Sequence, residues 1–257
     1  MNIVVSPTQQ NIIERDIDRS ANILDGTFAE KEANQILAVC RHFSFRELES
    51  LNCLYLGAID NIKTECLALN FREVTILNID NPELETNQKF GDRGNIKYIC
   101  CEDGNLAVDD FSFDVVICDR FCSNVDNPDE LMYEIYRVLK NDGFCHFSAY
   151  NKTSLCERNY SIPFLSWLPG WAAEKLLKLS GHEEKYNYRL LTLPKLRKLI
   201  DNFWRHDYVG LIRQNPLAFQ AQDTISPNQG QLKANGRFLK YIYPFLPLWT
   251  WVLTKKK

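Results

Sequence analysis

Residues 111–150, FSFDVVICDRFCSNVDNPDELMYEIYRVLKNDGFCHFSAY, constrain the fold more tightly than any other part of the chain. Phe113 to Cys118 is a short apolar, β-branched run closed by Asp119, the pattern of a strand buried on both faces. A helix start follows: Asn127 is a capping residue, Pro128 suits the first helical position, and Asp129 and Glu130 favour the positive end of the helix dipole. Leu131, Ile135, Val138 and Leu139 recur at helical spacing, with Lys140 expected in the last turn. Asn141-Asp142-Gly143 is expected to turn the chain into a second apolar run, Phe144 to Ala149. Strand, helix and strand at this spacing imply a right-handed crossover and a parallel sheet.

Further elements surround this unit. Thr27 and Glu30 form a capping box for a helix whose apolar face is Ala29, Ala33, Ile36, Leu37 and Cys40. Strands are predicted over Leu51–Leu56, Val74–Ile79, Ile96–Cys100, Tyr208–Arg213 and Trp249–Thr254. Helices are predicted over Thr64–Asn70, over Ala172–Leu179 with a stop at Gly181, and after Thr192 with Leu196, Leu199, Ile200 and Phe203 on one face. The organisation is one domain in four parts: an arm and helix over 1–50, a core over 51–150, an insertion over 151–192, and the end of the sheet over 193–257.

A chain of 257 residues with 45% hydrophobic residues is large enough for a single α/β core. Its net charge of −3 provides no basic face for a nucleic acid. The nine cysteines fall mostly in strand-like text and contain no Cys-x-x-Cys, which fits reduced thiols in a cytoplasmic protein and no metal site. The start has no basic segment followed by an apolar one, so no signal peptide is expected. Residues 220–257 carry six basic residues against one acidic, interleaved with aromatics, a composition suited either to a peripheral membrane contact or to a solvated tail after a buried strand.

The text SFD, the Asn-Pro-Asp helix start and EIYRVLKNDG followed by a strand resemble the class I S-adenosylmethionine-dependent methyltransferases. The resemblance extends more weakly over residues 50–215. It implies a Rossmann-like fold, a seven-stranded, mostly parallel sheet with helices on both faces and a helical lid, and S-adenosylmethionine as cofactor. On that reading the loop after the first strand, with Gly57 and Ala58, approaches the cofactor. The family's glycine-rich pattern is degenerate here: Tyr55 stands where an acid is usual, and Ile59 and Asn61 replace two glycines. Ile59 is the sharpest departure, because a β-branched residue resists positive φ.

Asp80 lies 23 residues after Gly57, at the end of the second strand, where the resemblance assigns a carboxylate to the ribose hydroxyls. Asp103 with Gly104 matches the adenine-reading position, and Asp119 the methionine end or the acceptor. Asp80 and Asp103 also suit plain turns. The text after Asp119, Arg120-Phe121-Cys122, lacks the Pro-Pro-Tyr pattern of enzymes that methylate bases. Phe164, Trp167, Trp171 and Tyr186 in the insertion form either an apolar acceptor site or the core of a helical cap. His182 is the one candidate base, and a surface histidine is the alternative. The implied function is methylation of a small hydrophobic molecule. A cyclisation or rearrangement on the same fold, or a non-catalytic partner subunit, are the rival readings.

Overall fold

A computed structural model of the protein describes residues 26–58, 60–77, 89–90, 94–99, 101–102, 105–123, 125–154, 162, 164–180, 190–221 and 243–256. The strands are β1 (Asn52–Leu56), β2 (Glu73–Leu77), β3 (Lys89–Phe90), β4 (Ile96–Ile99), β5 (Cys101–Glu102), β6 (Asn105–Leu106), β7 (Phe113–Asp119), β8 (Leu139–Tyr150), β9 (Phe203–Asp207) and β10 (Leu248–Lys255). The helices are α1 (Gly26–Phe43), α2 (Asn61–Asn70), α3 (Pro128–Val138), α4 (Gly170–Leu179), α5 (Leu193–Leu199) and α6 (Val209–Gln214).

The main sheet has the order β3-β4-β2-β1-β7-β8-β10-β9, while β5 and β6 pair apart from it. From β4 to β8 the pairings are parallel. Strand β10 runs antiparallel between β8 and β9, so the sheet is mostly parallel, as the resemblance implies. The sheet therefore has the seven-stranded order that was expected, six of its strands where the sequence reading placed them, with the two-residue β3 added antiparallel at one edge.

Alternation along the central strands explains why their sequences are continuously apolar. Leu54, Leu56, Val116, Cys118 and Phe147 pack with Leu131, Ile135 and Val138 of α3 and Leu196 of α5 on one face. Cys53, Tyr55, Val115 and Ile117 pack with Leu37 and Cys40 of α1, Leu67 of α2 and Ile212 of α6 on the other. With both faces covered, no position of β7 is left for a solvated residue.

Several boundaries differ from the sequence reading, each for a local reason. Strand β9 is Phe203–Asp207, and Tyr208–Arg213 is not the sixth strand. Only Phe203 of β9 is buried, so this edge strand has no alternation to read, whereas Val209 and Ile212 bury one face of α6 at helical spacing. Asp207 Oδ1 accepts from the Val209 N–H at 3.0 Å, which closes the turn into α6. Helix α2 starts at Asn61 rather than Thr64, because Asp60 accepts from the Lys63 N–H at 2.9 Å as its cap. Helix α4 starts at Gly170, not Ala172, and Thr27 lies within α1 instead of capping it.

Asn127 caps α3 as expected, accepting from the Glu130 N–H. That helix ends at Val138, so Lys140 is not in its last turn; its ammonium lies 3.0 Å from buried Asp114. Residues 140–143 form a bulge, with Leu139 opposite Phe113 and Phe144 opposite Val115. A Cβ at Gly143 would lie 2.7 Å from the Asp114 carbonyl oxygen, so the bulge requires glycine there. Among the described residues no helix is long and apolar enough to cross a membrane.

Candidate functional site

Parallel register sets Leu56 opposite Cys118, so the chain leaves β1 at Gly57 and leaves β7 at Asp119 side by side on the carboxyl edge of the sheet. Open α/β sheets hold their ligands at that edge. Asp119 is buried and does not point into solvent. Its Oδ2 accepts from Lys63 Nζ at 3.0 Å and from Arg120 Nη2 at 2.8 Å, and its Oδ1 accepts from Ser148 Oγ at 2.8 Å.

Glu32 of α1 completes a quartet. Its two oxygens accept from Arg120 Nη1 at 2.9 Å and Nη2 at 2.7 Å, and Oε2 also accepts from Lys63 Nζ at 3.0 Å. Arg120 Nη1 further donates to the Tyr150 hydroxyl at 3.3 Å. Two cations thus meet two carboxylates in a site largely closed to water. Such burial normally raises a carboxyl pKa, but Arg120 and Lys63 outweigh it, holding Glu32 at about 2 and Asp119 far below the usual carboxylate range. Burial would by itself deprotonate Lys63, yet Asp119 above all keeps it charged.

Arg120 reaches this position with φ +58°, a left-handed conformation that is uncommon for a residue with a long side chain. Its N–H donates to Ser148 Oγ at 3.0 Å and to the Ser148 carbonyl at 3.1 Å, contacts that hold the strained turn.

The loop after β1 has its own device. Tyr55, in place of the usual acid, is fully buried, and its hydroxyl donates to the Ala58 carbonyl at 3.0 Å. A Cβ at Gly57 would lie 2.6 Å from that hydroxyl. The one retained glycine is therefore required by Tyr55 from within the protein. Ile59 lies outside the described residues; Asn61 is the first residue of α2, so it does not serve as a left-handed loop residue in place of a glycine.

Of the other residues singled out in the sequence, Asp80, Asp103, Gly104, His182 and Tyr186 lie outside the described residues. Phe164 and Trp167 stack edge to face at 5.3 Å in the insertion and are about half exposed, and Trp171 is 74% exposed. The insertion's small core is Leu165, Ala173 and Leu177, so these three aromatics are not the core of a cap. No group of three or more possible metal ligands occurs among the described residues, and Cys40 and Cys122 are buried thiols whose pKa burial pushes up to about 12.

Glu32, Lys63 and Arg120 were not anticipated. A signal for the first two was present: Glu32 lies on the apolar stripe of Ala29, Ala33 and Ile36, and Lys63 lies four residues before buried Leu67. A charge at a core position of a helix requires a buried partner.

The sheet order, with an antiparallel strand inserted beside the last parallel one, defines the class I methyltransferase fold. Residues 54–147 match the family model described as a methyltransferase domain. Among solved structures, a possible histamine N-methyltransferase from Thermotoga maritima aligns over 97% of this chain and 100% of its own, at 14% identity and a TM-score of 0.53. The plantazolicin methyltransferase BpumL, solved with a monoazolic desmethyl-plantazolicin analogue and S-adenosylhomocysteine, aligns over 96% of this chain and 90% of its own at 16% identity and a TM-score of 0.54. A phosphoethanolamine N-methyltransferase from Haemonchus contortus, solved with S-adenosylhomocysteine, shares 16% identity over 87% of this chain at a TM-score of 0.50. The chain spans about half of that protein's length, 53%. No curated protein sequence matches the chain.

Proposed function

We propose that the protein is an S-adenosylmethionine-dependent methyltransferase acting on a small molecule with a hydrophobic surface. The observation that carries this reading is the buried quartet at the carboxyl ends of β1 and β7. Its charge types match a zwitterion: Lys63 and Arg120 are partners for a carboxylate, and Glu32 and Asp119 are partners for an ammonium. The amino-acid end of the cofactor carries one of each. Accommodating it requires exchanging internal ion pairs for pairs with the ligand, which leaves the total of satisfied charges unchanged.

When bound, the cofactor supplies a methyl group on an electrophilic sulfonium. The protein's part is mainly positioning. Gly57, with no side chain, lets the backbone approach closely, while Tyr55 fixes the loop through Ala58. Asp80 is proposed to hold the ribose hydroxyls, and Asp103 with Gly104 the adenine. The exposed aromatics Phe164, Trp167 and Trp171 are proposed to cover an apolar acceptor, with Tyr186 beside them and His182 as the base for a hydroxyl acceptor. An apolar patch of that kind marks a binding surface.

One observation favours a second reading, a non-catalytic partner subunit: the Tyr55 ring occupies the position of the family's acid and seals the loop from below. Calorimetric titration with S-adenosylmethionine and S-adenosylhomocysteine separates the two. Micromolar binding that is lost in Asp80→Ala supports the methyltransferase. Absence of binding by either ligand, in a protein shown by circular dichroism to be folded, supports the partner subunit.

A further inference from the structure

A second polar site lies on the face of the sheet covered by α1 and α6. On β8 and β10 the residues facing these helices are apolar toward one end, at Phe144 and Val252, but become His146, Ser148 and Thr250 toward the other. These three line a cavity of about 130 Å³, together with Glu32, Asp119 and Arg120 from the quartet and Arg213 from α6. Gly57 and Ala58 do not line it, so it is separate from the loop proposed to meet the cofactor.

Two groups in this chamber have no use within the described fold. His146 is only 3% exposed, and its Nδ1 has no hydrogen-bond partner among the described residues. A buried polar atom without a partner is destabilising, and a ligand removes that cost by bonding to it. Arg213 has no acidic partner among the described residues and is partly desolvated, which lowers its pKa. The quartet next to it is balanced, because Lys63 and Arg120 pair with Glu32 and Asp119. Arg213 is then one unmatched positive charge, and His146 is neutral near pH 7 because burial holds its pKa at about 4.

The remaining lining is the neutral amide of Gln35 and an apolar wall of Ile36, Val209, Ile212, Pro247 and Leu248. One unmatched cation, neutral hydrogen-bonding groups and an apolar wall describe a site for a monoanion with an apolar body. The volume is close to that of an engineered cavity of roughly 150 Å³ that holds benzene. We infer that this chamber binds a small monocarboxylate, its carboxylate on Arg213 and its body against α1 and α6, with a polar substituent toward His146 Nδ1 and Thr250. The chamber shares Glu32, Asp119 and Arg120 with the quartet proposed to hold the amino-acid end of the cofactor, so the probes are titrated without cofactor and read separately from the cofactor titration.

Benzoate, which is the right size, and its neutral isostere benzamide are the probes, titrated without any cofactor into the full chain and followed by calorimetry and by the imidazole nitrogen signals of His146. The expected result is saturable one-site binding of benzoate that shifts the His146 signals. Benzamide should bind about ten- to a hundredfold more weakly, reflecting loss of a charge-assisted hydrogen bond. Arg213→Gln should weaken benzoate by a similar factor without changing benzamide, and Arg213→Lys should restore part of the loss; melting curves of both variants establish that they are folded. Inorganic phosphate is the third probe, and tighter binding of phosphate than of benzoate would overturn the assignment. So would failure of benzoate to bind in the millimolar range, equal binding of benzoate and benzamide, or benzoate binding that survives Arg213→Gln.

Discussion

The two faces of the sheet use burial for different ends. Against α3 and α5 the packing is aliphatic and aromatic from Leu54 to Trp251, and a buried carboxylate there, Glu134, is held by Arg137 and the Leu106 N–H. Against α1, α2 and α6 the packing begins in the same way but gives over to Lys63, Asp119, His146, Ser148 and Thr250, all buried. The first face loses water and gains stability. The second retains charges at a cost in desolvation, and that cost is repaid only where the geometry is complete. Stability and the proposed ligand handling are thereby separated by the thickness of one sheet.

The sharpest way to break this contrast is Asp119→Ala. It leaves Lys63 and Arg120 with one carboxylate between them, and it should lower unfolding stability by about 3–5 kcal/mol in a denaturant titration. Binding of S-adenosylhomocysteine should be lost in the same variant. If stability is unchanged, the quartet is not a buried unit.

A pH titration of stability tests the same face next. His146 falls from an ordinary 6.5 to about 4 on folding, so the unfolded chain takes up its proton first as the pH drops. Stability should therefore be full above pH 6.5 and decline from there to pH 4, by about 3 kcal/mol in total. His146→Gln should remove this slope while leaving the steeper loss below pH 4.5 that comes from Glu32 and Asp119, whose pKa values are depressed on folding. A slope of equal size in both proteins would mean that another group titrates.

On the apolar face, Ile135→Val should cost about 0.5–1.5 kcal/mol and leave ligand affinities unchanged. A change in affinity would show that the faces are coupled. The smallest effect on stability is expected for Trp171→Ala, within about 0.5 kcal/mol, because the ring is mostly exposed. Turnover of an apolar acceptor should nevertheless fall; unchanged turnover would remove the insertion's aromatics from the acceptor site.

The contrast also explains what could be read from the sequence. The apolar face was legible because Val116 and Cys118 lie in a continuous apolar run, Leu131, Ile135 and Val138 recur at helical spacing, and Asn127 and Pro128 mark the helix start. Asp119 was legible for its place at the end of a strand. The quartet was not, because Glu32, Lys63 and Arg120 are 31 and 57 residues apart and nothing local indicates that they meet. Strand β9 was missed for a related reason: an edge strand with four exposed residues carries no period, and its place is fixed by pairing with β10.

The Tyr55 hydroxyl and Gly57 have a consequence for how this chain can vary. With the phenol 2.6 Å from where a Cβ would be, position 57 is closed to every other residue as long as position 55 is tyrosine. Shrinking Tyr55 to an acid first would empty a fully buried space and place a new charge near Lys63. The two sites are thus epistatic, and the order of substitution matters: the glycine is fixed until the tyrosine changes, and an acidic loop is reached only through an intermediate with a hole beneath it.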